Sequence, residues 1–364
     1  MTKRLLLIAT ATTALLTACT GGSGDTSSSP SPMASSGSSA TTAVQRPTVT
    51  GTLATGLKAP WSVVPLSPDA ALISQRNTAE ILLLRDGQTS VAGTVAQALP
   101  AGEGGLLGLA MRSEDAKRVY AYYTAATDNR VVSFAFDGST LSDETLILGG
   151  IPKGQIHDGG RIAFGPDGFL YIATGETGQP ELAQDKTSLA GKILRVRPDG
   201  NPAPGNPDQG SPVWSYGHRN VQGLAWDSAD RLWATEFGQS DVDELNLIEP
   251  GRNYGWPQCE GSCQIPGMTN PKATWSPTAT ASPSGLAIVD DTAWVAALRG
   301  EALYSVRLKG DSAEQPKGWF EQQYGRIRDV VQGPDGTLWM LTNNTDGRGQ
   351  PRPDDDQLLQ VAIP

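Results

Sequence analysis

The chain has 364 residues and a formal net charge of −10, with 28 Lys and Arg against 38 Asp and Glu. That balance leaves no basic stripe of the kind nucleic-acid binders use to displace counterions, so no nucleic-acid partner is expected. Gly (42) and Pro (26) make up about a fifth of the chain without a three-residue period, which excludes collagen.

The N-terminus reads as an address. Lys3 and Arg4 precede a mostly apolar run from Leu5 to Leu16, and Leu16-Thr17-Ala18-Cys19 follows. This is the pattern of a secretory signal peptide over residues 1–18, and a Cys directly after small residues resembles the bacterial lipobox. Lipidation of Cys19 is therefore expected, with export to the cell envelope and membrane attachment through the lipid anchor alone. Residues 19–46 are rich in Gly, Ser, Thr and Pro and nearly free of large apolar side chains, so they predict a flexible tether. Beyond the leader no run of about 18 apolar residues predicts an internal transmembrane helix.

From residue 47 to 364 one unit recurs six times: an aliphatic run, a turn of Pro, Asp, Gly or Ser, then a short β-type run. Its copies begin at Trp61, Leu106, Gly160, Gly223, Gly285 and Asp329. The turns include Ser67-Pro68-Asp69, Ser113-Glu114-Asp115, Pro166-Asp167-Gly168 and Pro334-Asp335-Gly336, the chemistry expected of hairpins. The repeat spans about 45 to 60 residues, the size of one four-stranded blade with loops. A single sheet with two apolar faces must stack against neighbours to bury them. The expectation is an all-β fold, a six-bladed β-propeller; two sandwiches would not repeat one hairpin six times.

Both histidines, His157 and His218, sit in Gly-flanked segments beside an Arg. Loops on a rigid scaffold concentrate function, and an imidazole there suits a general base; a hydrogen-bonded structural His is the alternative for each. Glu176, after the third copy's strand, is placed to fix the tautomer of His157. Glu236 to Glu244 carries several carboxylates around Gly238, and hard oxygen ligands suit Ca²⁺; a solvated acidic turn is the alternative. Arg326 and Arg328, two residues apart, would share one strand face and grip a small polycarboxylate; a pair of surface arginines is the alternative. Cys259 and Cys263 predict a disulfide in an exported protein; the alternative, a metal pair, has too few ligands for structural zinc.

Taken in order, Gly102-Glu103-Gly104-Gly105-Leu106-Leu107-Gly108, His157-Asp158-Gly159-Gly160-Arg161, Leu189-Ala190-Gly191-Lys192-Ile193-Leu194-Arg195, Gly217-His218-Arg219-Asn220, Asp243-Glu244-Leu245-Asn246, Asn253-Tyr254-Gly255-Trp256-Pro257 and Arg326-Ile327-Arg328-Asp329 resemble the glucose/sorbosone dehydrogenase family, the soluble PQQ-dependent aldose dehydrogenases. The likeness covers roughly residues 50 to 362. It implies a quinone, PQQ, lying over the channel mouth, held by Ca²⁺ and arginines, and oxidation of an aldose at C1 with electrons passed to an external acceptor. His157 matches the base that takes the proton of the anomeric hydroxyl, and Glu176 its carboxylate partner. Arg219 and Asn220 match quinone contacts, Arg219 also stabilising developing charge, and Arg326 and Arg328 match the carboxylate grip. Glu103, Arg299 and Thr280 fall at further cofactor contacts. Gly238 and Gln239 match carbonyls that bind the cofactor's calcium, with Asp243 and Glu244 supporting that loop. Two other functions fit the same architecture: a Ca²⁺-dependent propeller hydrolase of the lactonase kind, and a propeller that only binds.

Overall fold

The computed structural model describes residues 46–112 and 114–364. The signal peptide and the tether up to residue 45, Cys19 and its lipidation, and Ser113 of the second repeat's turn lie outside the described residues.

The described chain is built of strands, with two short 3-10 turns and no α-helix among the described residues. Six antiparallel sheets follow one another. The first is β2 (Pro60–Ser67), β3 (Ala70–Gln75), β4 (Glu80–Arg85) and β5 (Gln88–Thr94). The second is β6 (Leu106–Arg112), β7 (Asp115–Thr124), β8 (Asn129–Phe136) and β9 (Leu141–Ile151). The third is β10 (Ile162–Phe164), β11 (Leu170–Ala173), β12 (Lys192–Val196) and β13 (Val213–Tyr216). The fourth is β14 (Val221–Trp226), β15 (Leu232–Glu236), β16 (Asp243–Ile248) and β17 (Ala273–Trp275). The fifth is β18 (Pro283–Val289), β19 (Thr292–Ala297), β20 (Ala302–Lys309), β21 (Ser312–Ala313) and β22 (Lys317–Trp319). The sixth is β23 (Ile327–Gln332), β24 (Leu338–Thr342) and β25 (Leu358–Ala362), completed by β1 (Thr48–Ala54).

The six expected repeats are the innermost two strands of the six sheets. The first strands β2, β6, β10, β14, β18 and β23 pack against one another in a closed circle, β23 returning to β2. This is a six-bladed β-propeller. β1, from the N-terminal end of the described chain, pairs antiparallel with β25, so the last blade joins strands from both ends of the described chain and the ring is closed by hydrogen bonds.

Side-chain alternation explains why the blades stack. Successive strand residues point to opposite faces, and here each face meets a different neighbour. Val119, Ala121 and Tyr123 of β7 pack toward the first blade, whereas Tyr120 and Tyr122 pack toward the third. Likewise Leu72 faces the second blade while Ala71 and Ile73 face the sixth. Six apolar clusters, one at each blade boundary, form the core. Inner strands therefore read as unbroken apolar runs, such as Leu170–Ala173.

One polar group is also buried in this frame. Lys192 begins β12 with no exposed surface, and its ammonium donates to the carbonyls of Leu182 (2.7 Å), Ala183 (3.0 Å) and Ala190 (2.6 Å). Burial lowers its pKa to about 8, and three carbonyls match the three protons of the charged form. The loop that follows Glu176 is tied down this way.

Candidate active site

The site lies where the loops leading into the first strands of several blades meet the loops that follow their second strands. His157 precedes β10, with Glu103 of the second blade's entry loop beside it: Glu103 Oε2 accepts the His157 backbone N–H at 2.8 Å. His157 adopts φ +58°, a left-handed conformation uncommon for a side chain-bearing residue. Its ring Nδ1 bonds directly to the Glu176 carboxylate. A carboxylate only accepts, so beside it the neutral ring would carry its proton on Nδ1 and present the lone pair on Nε2. Nε2 makes no hydrogen bond among the described residues and faces the cavity. The Glu176 side chain is 2% exposed.

Glu176 and Arg219 are joined through the main chain, Glu176 N–H donating to the Arg219 carbonyl at 2.9 Å, and Gly175 bridges to Asn220. The start of the fourth blade is thereby pinned to the end of β11. Asn220 is buried, with its oxygen accepting the Gly159 N–H at 3.1 Å. Arg219 donates from Nη1 to the Phe237 carbonyl at 3.1 Å and lies over the Trp256 ring, 5.4 Å from its centroid.

His218 serves this same segment differently. It is fully buried, bonded through Nδ1 to Glu236 (2.9 Å) and through Nε2 to Ser215 (2.8 Å), and stacked 4.7 Å from Tyr254. Both ring nitrogens are occupied inside the fold, so of the two candidate bases only His157 reaches a cavity.

That cavity, about 220 Å³, is lined by Glu103, His157, Arg219, Gly238, Gln239, Asp243, Arg299 and Arg326. Thr278, Ser282, Leu298, Phe237 and Arg348 complete the wall. Arg348 escapes a sequence reading because a lone Arg in a Gly-rich loop carries no spacing signal. Its Nη1 donates to Glu103 Oε1 at 3.0 Å, and half of its side chain is exposed. Behind it a second, tighter chamber is lined by Trp61, Arg76, Glu103, Gln222 and Arg328 among others.

Several expectations need correction. Arg326 and Arg328 do not share a regular strand face: Arg326 precedes β23, and the register shifts between Ile327 and Asp329. Arg326 accordingly lines the outer cavity and Arg328 the inner chamber. Thr280 does not line either; it ends a 3-10 turn, its carbonyl accepting from Tyr304 at 2.9 Å, and Thr278 takes the wall position. Asp243 and Glu244 are not in a turn but open β16, on opposite faces. Asp243 accepts the N–H groups of Gly238 (3.0 Å) and Ser282 (2.8 Å). Glu244 faces away, accepting from Asn246 (2.9 Å) and Gly261 (2.7 Å). No group of three or more His, Cys, Asp or Glu among the described residues is placed to hold a metal, so any cation here needs backbone oxygens. Cys259 and Cys263 are joined, with Cα atoms 5.6 Å apart.

The electrostatics run against the acidic whole. Arg76, Arg161, Arg326 and Arg328 cluster with Asp329 and Asp346 as their buried counter-charges: Asp346 pairs with Arg326 at 3.1 Å and Asp329 with Arg161 at 2.9 Å. Burial, with Arg326, Arg76 and Arg161 near it, pulls the Arg328 guanidinium down to about 9 despite Asp346. It stays charged at neutral pH. Burial likewise lowers Arg219 against the pull of Glu176 and Glu260. Burial raises Asp243 to about 7, outweighing the two amides it accepts from; Glu244 is raised by burial and by Glu236. The Nε atoms of Arg219, Arg326 and Arg328 and the amide nitrogen of Asn220 are buried without an acceptor among the described residues. Buried donors without partners are costly, and an excess of guanidiniums makes a planar anion with several carboxylates the chemistry that satisfies them.

The propeller thus carries an imidazole beside an arginine-lined cavity. Residues 57–352 match the Glucose / Sorbosone dehydrogenase family, and the chain is a member of that family, an oxidoreductase. It is 33% identical over 348 residues to the uncharacterized protein slr1608 of Synechocystis, covering 80% of this chain and 83% of that one. It is 31% identical over 284 residues to the aldose sugar dehydrogenase YliI of Escherichia coli K12, covering 68% and 76%. Among solved structures, the PQQ-bound aldose sugar dehydrogenase of Streptomyces coelicolor superimposes with a TM-score of 0.84 at 50% identity, over 87% of this chain and 97% of that one.

Proposed function

We propose that this protein is a PQQ-dependent aldose dehydrogenase that oxidises sugars at C1 to lactones and passes the electrons to an external acceptor. One observation carries the reading: His157, whose Nε2 has no partner among the described residues, lines the same cavity as Arg219 and Arg326, whose buried Nε atoms lack acceptors among those residues. These donors fit a tricarboxylated quinone, and Arg328, Asn220 and Arg299 would add further contacts. Bound there, PQQ supplies the two-electron oxidant that takes hydride from the sugar's C1.

The chain's own residues do the rest. His157 Nε2 accepts the proton of the anomeric hydroxyl. Glu176 holds the proton on Nδ1 and stabilises the charge that the ring acquires, as second carboxylates do for other histidines. The fixed guanidinium of Arg219 places positive charge where negative charge develops. Glu103 and Asp243 close the wall. A metal-activated hydrolase would leave this arginine cluster without a purpose, which favours oxidation over the lactonase alternative.

Calcium fits the loop at Gly238 and Gln239. Neither carbonyl accepts a hydrogen bond among the described residues, and hard oxygen donors suit Ca²⁺. Asp243 then supports the loop through the Gly238 N–H rather than ligating, and Glu244 acts only from the far side, through the Gly261 N–H. At the other end of the chain, export with a lipid on Cys19 and a tether to residue 46 would set the propeller, residues 47–364, at the cell envelope. No helix among the described residues is long and apolar enough to cross a membrane. Loss of fatty-acid labelling in Cys19→Ser checks the anchor.

The deciding experiment adds PQQ and Ca²⁺ to the apoprotein, then glucose or another aldose, and only afterwards a dye acceptor, which should restore the oxidised band. Uptake of PQQ followed by bleaching of its oxidised band on adding sugar is expected. Failure to take up PQQ at micromolar concentration overturns the reading.

A further inference from the structure

The hairpin closed by Cys259 and Cys263 carries Glu260, and one oxygen of that side chain is unusually occupied. Glu260 Oε1 accepts four successive backbone N–H groups: Gln239 at 2.8 Å, Ser240 at 2.9 Å, Asp241 at 2.9 Å and Val242 at 3.1 Å. Consecutive amides converging on one anion form a nest, ordinarily filled by a ligand; here the chain fills it with its own carboxylate.

The consequence lies in the peptide planes. In a trans peptide the N–H of one residue and the C=O of the residue before it point in opposite directions. Drawing the Gln239 N–H to Glu260 therefore turns the Gly238 carbonyl away from Glu260. Drawing in the Ser240 N–H does the same to the Gln239 carbonyl. The Asp241 and Val242 N–H groups turn the Ser240 and Asp241 carbonyls in the same way, but of these four residues only Gly238 and Gln239 line the cavity, and neither of their carbonyls accepts a hydrogen bond among the described residues. The neighbouring peptide is set by the same logic: the Gly238 N–H goes to Asp243, and the Phe237 carbonyl accepts from Arg219. Gly238 has to be a glycine for the loop to wrap this closely, since a Cβ there would sit 2.6 Å from Glu260 Oε1 and 1.8 Å from the Val242 carbonyl oxygen. Glu260 is itself fixed from three sides: by the Cys259–Cys263 bond, by the Gly261 N–H donated to Glu244, and by the Cys259 N–H donated to Gly255 at 2.9 Å.

We infer that Glu260, held by the Cys259–Cys263 hairpin, is a positioning residue that aims the Gly238 and Gln239 carbonyls as a pair of divalent-cation ligands. This rests on the reading that those carbonyls bind calcium. Glu260 needs to touch neither metal nor quinone; it sets the direction of the groups that do. Partners of metal ligands typically change metal affinity about 10- to 100-fold when lost.

The test is an equilibrium Ca²⁺ titration of the apoprotein at saturating PQQ, read by quinone absorbance, alongside the melting temperature of the metal-free protein in EDTA. Glu260→Ala is expected to raise the half-saturating Ca²⁺ by about 10-fold or more. Glu260→Gln, which keeps an acceptor oxygen, stays close to wild type. Cys259→Ser with Cys263→Ser, which frees the hairpin, shifts the titration in the direction of the alanine variant. Should Glu260→Ala fold poorly, the glutamine and serine variants still decide. If Glu260→Ala or the serine pair lowers the melting temperature but titrates like wild type, the role is only structural and the inference fails while the calcium reading stands. Glu260→Gln matching Glu260→Ala overturns aiming by an acceptor. PQQ uptake by the wild type that is unaffected by EDTA overturns the calcium reading, and the positioning role with it.

Discussion

Glu103 holds His157 by its backbone: one carboxylate oxygen accepts the His157 N–H at 2.8 Å while the other takes Arg348 at 3.0 Å. The imidazole is thus fixed at both ends, through its amide by Glu103 and through Nδ1 by Glu176. A left-handed residue persists where its surroundings over-determine it, and these two carboxylates, from different blades, do so.

That arrangement gives a pH dependence. Burial pushes the Glu103 carboxyl up, but the His157 amide and Arg348 outweigh it and hold its pKa below the ordinary value. A carboxyl depressed in the folded state binds fewer protons there than in the unfolded chain. Its stabilisation is therefore complete above the unfolded pKa of about 4.3 and fades as pH falls through the lower folded value. Thermal melts of wild type and Glu103→Gln, run from pH 7 down to pH 3, should differ most at the upper end and converge at the acid end. A gap that widens with acid contradicts the assignment.

Removal of the proposed base, His157, should be read apart from binding. A positioned general base contributes about 10²- to 10⁴-fold, so His157→Ala should lose that much in the rate at which sugar reduces the bound quinone, with PQQ affinity unchanged. Glu176→Gln keeps the shape and can donate rather than accept at Nδ1, which favours the tautomer with no lone pair at Nε2. It should lose roughly 10- to 100-fold in the same rapid-mixing measurement. Wild-type rates in either variant dismiss the base.

Much of this was legible before any coordinates. Hairpins with Asp, Pro or Gly turns recur because each blade repeats the same two inner strands, buried on both faces, and so must repeat the same apolar pattern. The outer strands are different. Gln88–Thr94 and Leu141–Ile151 expose most of their side chains, and their pattern is free to drift. Closure by Thr48–Ala54 was hidden for a related reason, since an alternating edge strand does not declare its partner. At the site, the residues on short motifs were found: His157, Arg219 and Gly238 all line the cavity. Those acting through three-dimensional convergence were not. Arg348 has no recognisable neighbours in sequence, Glu260 sits beside Cys259 but nothing in the sequence shows that it reaches the amides of residues 239–242, and the register shift that separates Arg326 from Arg328 breaks the period-two rule on which pairing them depended.

Separating the two arginines in space separates their expected effects. Arg326 lines the outer cavity, with Asp346 as its salt-bridge partner; its loss as Arg326→Ala strands that buried carboxylate. Arg328 sits in the inner chamber, bonded to Gln222 at 3.1 Å and lying 5.6 Å from the Trp61 centroid. Single charged hydrogen bonds to a ligand are worth about 1.5–3 kcal/mol. Fluorescence titration with PQQ should show each alanine variant weakened by about 10-fold or more, and the pair weakened further. Unchanged affinity in both variants contradicts an arginine grip.

The closest test of the pinned geometry uses a residue that has no side chain. A Cβ on Gly175 would lie 1.9 Å from the His157 carbonyl oxygen, 2.4 Å from its carbon and 2.9 Å from the Asn220 side-chain oxygen. None of these is the flexible end of a long chain: two are backbone, and the third belongs to a buried amide that holds Gly159. Gly175→Ala therefore has to displace the His157 peptide or break the bridge to Asn220, while the six apolar clusters between blades remain untouched. Overpacking of this kind costs about 1–3 kcal/mol, a drop in melting temperature of a few degrees for a domain of this size. The rate of quinone reduction should fall by much more than that loss of stability explains, because the imidazole moves with its peptide. An alanine variant that melts lower yet reduces the quinone at the wild-type rate shows that the loop re-forms around the methyl group and that the position of His157 does not depend on Gly175.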